Sequence, residues 1–107
     1  MLEGGWVVVL ITASTREEAL KIGRMLVEAK LAACVNIVRD VTSIYWWEGK
    51  VEEGGELLLI VKTTFEKLES LIKEVRKIHS YSVPEIIAIP VVAGNPDYLR
   101  WVRESTS

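Results

Sequence analysis

One short stretch of this 107-residue chain gathers residue types that do chemistry: His79, Tyr81, Ser82 and Glu85, set around Val83-Pro84. A neutral imidazole and a carboxylate are competent ligands for copper or zinc. Two ligands from one chain make a weak site unless a second copy adds more. The competing structural reading has His79 donating to a helix-end carbonyl and Glu85 pairing with a nearby Lys or Arg. The residues alone favour that second reading, and both stay open.

Other chemistry is poorly supported. A serine or cysteine nucleophile needs a base within hydrogen-bond reach, and the chain holds one histidine with nothing coupling it to Cys34 or to a serine. The expectation is a protein that is not an enzyme. Cys34 lies in Leu31-Ala32-Ala33-Cys34-Val35, where cysteine behaves as a small inert hydrophobe. As the single cysteine, it excludes an intrachain disulfide and four-thiolate zinc. Trp46 and Trp47 are adjacent on a strand, so their rings point to opposite faces, one suited to a core and one to an interface or pocket. Arg16 stands near the start of a helix, where a small anion could bind.

The elements that would position these groups follow from periodicity. Trp6 to Ile11 is an unbroken, β-branched apolar run and reads as a central strand covered on both faces. Ser14 with Glu17, or Thr15 with Glu18, forms a capping box. Ala19, Ile22, Gly23 and Leu26 then recur at helical spacing up to about Lys30. Ala33 to Val38 and Val41 to Trp47 form a long second strand, bent around Arg39-Asp40. Glu48-Gly49-Lys50 turns the chain, and a third strand runs through Leu57 to Val61 after the acidic stretch Glu52 to Glu56. Thr63 or Thr64 caps a second helix with the stripe Phe65, Leu68, Ile72 and Val75, flanked by Leu71 and Ile78. Val83 before Pro84 is pushed to extended geometry. Ile86 to Val92 is a fourth strand whose Pro90 implies an edge or a bulge. Asn95-Pro96 opens a C-terminal helix with Tyr98, Leu99, Trp101 and Val102.

This order predicts a single domain over residues 1–107: α+β, ferredoxin-like βαββαβ with an extra C-terminal helix and an antiparallel four-stranded sheet. Helices on one face leave the other open. Strands this apolar would then expose a large patch, which further copies of the chain would cover in a closed homo-oligomer. Half of the residues are hydrophobic and 26 % are charged, with a net charge of −2, so there is no basic field for nucleic acid. No apolar run reaches the ~20 residues of a membrane span. Met1 to Gly5 carries no Lys or Arg and the run after it is too short for a signal peptide, so the expectation is cytoplasmic.

Several separated motifs resemble the CutA-type divalent-cation tolerance family. They are Leu31 to Ile37, Ser43-Ile44-Tyr45-Trp46-Trp47-Glu48-Gly49-Lys50, Glu56 followed by Lys62-Thr63-Thr64, His79-x-Tyr81-x-Val83-Pro84-Glu85-Ile86, and Tyr98-Leu99-x-Trp101. The likeness spans nearly the whole chain. It implies a homotrimer similar in architecture to PII signalling proteins, a part in tolerance of copper or other divalent cations, no required cofactor and no enzymatic activity. It also implies that His79 and Glu85 are the metal-ligand candidates, near an intersubunit cleft with Trp47, Lys62 and Tyr81. The family usually reads His-Pro-Tyr, where this chain has Ser80, and Ser82 follows Tyr81. Some relatives carry a cysteine, a proposed metal ligand, at the position of Ile11. The alternative function is a PII-like module binding a small anion or a partner protein at the cleft, in which Lys62 and Arg16 outweigh His79.

Overall fold

The computed structural model describes residues 5–107; the expectation for the N-terminal segment before Gly5 lies outside the described residues. Four strands and three helices alternate: β1 (Trp6–Ala13), α1 (Arg16–Glu28), β2 (Cys34–Trp47), β3 (Lys50–Thr64), α2 (Leu68–Ile78), β4 (Ile86–Pro90) and α3 (Pro96–Ser105). The sheet order is β2-β3-β1-β4 with every pairing antiparallel. Two βαβ units interleaved this way are the ferredoxin-like arrangement read from the sequence.

Local chemistry sets the helix starts. Thr15 Oγ1 accepts from the Glu18 N–H at the head of α1, which selects the second of the two capping boxes. Glu18 does not reach back to Thr15; its carboxylate takes the Ser14 N–H and hydroxyl instead. Asn95 caps α3 through Oδ1, with Pro96 in the first turn. Thr64 precedes a 3-10 turn, Phe65–Lys67, without a side-chain cap bond, and Thr63 donates to Leu31 O from a buried position. Neither threonine caps α2 as expected, because the chain enters that helix through the tighter turn.

The core lies between one sheet face and α1 with α2. Val7, Val9 and Ile11 of β1 and Leu59 and Val61 of β3 pack there against Ala19, Ile22, Leu26, Leu71 and Val75. β1 is central, yet only this face of it is closed: Val8 and Leu10 stay half-buried on the other. Part of that other face is crossed by α3. The Trp6 indole N–H donates to Leu99 O at 2.8 Å, and the Arg103 guanidinium stands 4.7 Å over the Trp6 ring. The expectation of helices on one face therefore holds for α1 and α2 alone.

β3 starts at Lys50 rather than at Leu57, so the acidic stretch is strand. It pairs with the far half of β2 as a projecting two-stranded arm, and the chain measures 43 × 26 × 23 Å as a result. The expected bend is a β-bulge. Val38 faces Leu58 and Val41 faces Glu56, which sets Arg39 and Asp40 against one residue, with Asp40 at φ 62°. The extra residue reverses the face assignment along β2. Tyr45 and Trp47 thereby share a face with Glu56, while Ile44 and Trp46 fall on the opposite one. β4 is an edge strand, as Pro90 required.

Candidate functional site

At the root of the arm, β1, the bulged half of β2, the middle of β3 and the loop between α2 and β4 surround a cleft of about 600 Å³. Thr12, Tyr45, Trp47, Glu56, Tyr81 and Glu85 are among the residues on its walls. His79 builds this corner rather than opening into it. Trp6 O accepts from Val91 N, so even-numbered carbonyls of β1 face β4. The β1–β4 ladder stops at Ile11 opposite Ile86, and this would leave Thr12 O without a partner. The His79 Nε2–H fills that place, donating to Thr12 O at 2.7 Å.

A carbonyl can only accept, so the proton sits on Nε2, and Nδ1 accepts the Tyr81 N–H at 3.1 Å. Its side chain is fully buried and both ring nitrogens are engaged, with Nδ1 also 3.6 Å from Glu18 Oε2. The structural reading of His79 is therefore the arrangement present, although the carbonyl belongs to a strand end and not to a helix end. Glu85, released from the ladder by its early stop, is exposed at the cleft and makes no ion pair with a Lys or Arg among the described residues.

Two carboxylates that sequence reasoning gave no site role organise the rest. Glu18 bridges the start of α1 and the loop: Oε1 takes the Ser14 N–H and hydroxyl, and Oε2 takes the Ser80 N–H at 2.7 Å. Burial raises its pKa, but the hydrogen bonds from Ser80 and Ser14 outweigh that and hold the carboxyl below its ordinary value. Glu56 Oε2 accepts the Tyr81 hydroxyl at 2.7 Å. Burial, then this bond to a carboxylate, push the Tyr81 phenol well above the usual range, so Tyr81 is a fixed donor at any ordinary pH. Glu18 was legible only as a capping residue and Glu56 only as a motif member, because both partnerships join segments distant in sequence.

The structure gathers His79, Tyr81, Glu85 and Trp47 but leaves Lys62 apart. Lys62 pairs with Val8 and Cys34, four residues along the strands from Thr12 and Leu58, and its ammonium donates to Asn36 Oδ1. Arg16 lines a separate hollow with Leu20, Ile37 and Arg39. Ile11, where some relatives would carry cysteine, is fully buried in the core, on the face away from the cleft. No group of three or more His, Cys, Asp or Glu side chains suited to one metal ion occurs among the described residues. The donor set of one chain, with His79 already spent, does not fit a closed metal site.

The fold and the cleft define a ferredoxin-like α+β domain with a projecting hairpin arm and a corner left open at the sheet edge. The chain belongs to the CutA1 divalent ion tolerance protein family, whose sequence model matches residues 7–105. It is 54 % identical over 99 residues to the divalent-cation tolerance protein CutA of Thermus thermophilus, covering 92 % of this chain and 96 % of that one. The corresponding CutA protein of Archaeoglobus fulgidus is 46 % identical over 97 residues, covering 91 % and 94 %. A chloroplastic CutA protein of Oryza sativa is 45 % identical over 94 % of this chain, which spans only 56 % of that relative. The solved structure of the Thermus thermophilus protein superposes with a TM-score of 0.93 at 52 % identity, covering 95 % of this chain and 99 % of that one. That of Oryza sativa CutA1 gives 0.94 at 43 % identity, covering 97 % and 95 %. Among the described residues no helix is long and apolar enough to cross a membrane.

Proposed function

We propose that this chain acts as a homotrimer in tolerance of divalent metal ions, copper among them, without catalysing a reaction and with metal met weakly or indirectly. The observation that carries this reading is the donor set of the cleft. Glu85 is an open carboxylate, Glu56 has one oxygen engaged by Tyr81, and the imidazole of His79 has no lone pair to offer. His79 would join a metal only by giving up the Tyr81 N–H. A neighbouring copy seated on the open sheet face would both cover its apolar residues and complete the cleft. A reducing, cytoplasmic setting belongs to the same proposal and agrees with the free Cys34.

Copper(II) titrated calorimetrically into the full chain, with native mass taken in the same buffer, tests this. The expected result is a trimer with weak, saturable binding that Glu85→Gln diminishes. Tight binding of one ion per chain, unaffected by Glu85→Gln, would refute it, as would a monomer at every concentration.

A second reading rests on a different hollow. Arg16, at the start of α1, and Arg39, at the bulge, line one depression, and two guanidinium groups there suit a small anion. It shares Arg16 with the PII-like alternative at the intersubunit cleft, whose other residue, Lys62, lies on the opposite sheet face of the same chain. Stabilisation of the chain by inorganic phosphate, removed by Arg39→Gln, is its expected signature.

A further inference from the structure

The segment between α2 and β4 carries one wall of the cleft, with Tyr81, Ser82, Val83 and Glu85 all lining it. This wall belongs to the chain whatever a neighbouring copy adds elsewhere. Ile78 before the segment and Ile86 after it pack against the core, and no side chain between them joins the buried apolar cluster. Val83 is 72 % exposed. The ladder with β1 reaches no further than Ile86, and among the described residues Ser80 to Glu85 make no backbone–backbone hydrogen bond.

What holds the segment is polar and concentrated at its start. The Ser80 N–H donates to Glu18 Oε2 at 2.7 Å and the Tyr81 N–H to His79 Nδ1 at 3.1 Å. These two acceptors stand 3.6 Å apart, so one post, built from α1 and the residue that follows α2, takes both amides. The Tyr81 hydroxyl donates to Glu56 Oε2, and its ring lies against the His79 imidazole with centroids 4.8 Å apart. The post itself is fixed. The His79 side chain is fully buried on Thr12 O, and Glu18 is tied to Ser14 through its other oxygen. A segment held by a few hydrogen bonds, without a buried apolar anchor, belongs at the low end of a protein's range of local stability.

We propose that Ser80 to Glu85 is a strap that leaves this post as one unit, within the bounds set by Ile78 and Ile86, and so opens the cleft wall that the chain supplies. Glu18 is its clasp, a positioning residue outside the cleft. Opening bares His79 Nδ1 and one oxygen each of Glu18 and Glu56 together, so these acceptors are masked and unmasked as a set. A ligand that uses them binds only the open form, and the strap then sets its apparent affinity. The proposal does not depend on the metal reading.

The test is amide hydrogen exchange of the full chain, followed residue by residue by NMR with native mass recorded in the same buffer. The Ser80 and Tyr81 amides should share one opening constant, roughly a hundredfold or more above those of Val9 and Leu59 in the core. Urea should leave that shared constant almost unchanged, because a local opening exposes little surface. Cross-effects then show whether the strap moves as a unit. Glu18 accepts from Ser80 and not from Tyr81, yet Glu18→Gln should speed both amides by one factor, about tenfold. Tyr81→Phe, which removes the bond to Glu56, should speed the Ser80 amide severalfold. Separate opening constants for the two amides would overturn the proposal, as would exchange as slow as that of Leu59. An effect of either variant confined to the amide beside it would overturn it too. Should a variant fail to fold, the parent chain decides alone: a shared opening that urea leaves unchanged supports the strap, and separate or core-like exchange refutes it.

Discussion

The two faces of β1 are made of the same residue types and end in different states. Val7, Val9 and Ile11 are fully enclosed by α1 and α2, whereas Val8 and Leu10, between them in sequence, stay half-buried. The contrast widens at the edge of the sheet, where Ile87, paired with Leu10, is 52 % exposed. A continuous apolar run says that both faces of a strand are to be covered. It does not say that one chain covers both. Here two helices close one face, α3 closes one end of the other, and the arm with its cleft lies beyond both. The enclosed face makes the fold, and the unfinished one holds the groups that can meet something else.

The largest expected effect lies on the enclosed face. Leu59→Ala removes a fully buried side chain between β3 and the helices and should cost about 2–5 kcal/mol. Chemical unfolding measures it, and a loss under 1 kcal/mol would mean that this side of the sheet is not the organising core. Next comes the junction between the two regions. Glu18→Gln takes a charge-assisted acceptor from Ser80 and Ser14 and should cost about 1.5 kcal/mol at neutral pH. The carboxyl of Glu18 is held below its reference of 4.5, so its contribution is complete above that value and is lost as pH falls through the folded value. The gap between parent and variant should therefore close in acid. A gap independent of pH would show that the charge is not what holds the loop.

Legibility in the sequence divides along the same line. The enclosed face announced itself, since Ala19, Ile22, Gly23 and Leu26 recur at helical spacing and all are buried against the sheet. The first half of β3 did not. Glu52, Glu53, Gly54, Gly55 and Glu56 have no alternation to read, because no helix lies under the arm to demand an apolar side. The register effect of the bulge was also out of reach. A bend at Arg39-Asp40 was visible, but its decision between Trp46 and Trp47 depends on one extra residue against Leu58 and Glu56. At the candidate site the residue types were legible and their commitments were not. Whether His79 has a free nitrogen is settled by where β4 stops against β1, a property of pairing between distant segments.

A smaller effect tests the helix that bears Glu18. Thr15→Ala removes the side-chain cap on α1 and should cost about 1 kcal/mol. Because Thr15 and Glu18 share one turn, the double variant with Glu18→Gln should cost less than the sum of the singles. Strict additivity, measured as a thermodynamic cycle, would separate the cap from the loop tie and blur the junction between the two regions.

The smallest effect on the chain itself bears most directly on the open face. Ile87→Lys places a charge where the lone chain already meets water, so its cost to an isolated protomer should stay within about 0.5 kcal/mol. If another copy covers this face, the same charge is buried without a partner at the contact. Native mass should then fall from that of the parent assembly, and apparent stability should become dependent on protein concentration over a range where the parent is not. A variant with unchanged mass and unchanged stability would show that Ile87 meets solvent in the working molecule. The contrast between the two faces would then belong to the protomer alone, and the cleft would have to function with the walls that one chain provides.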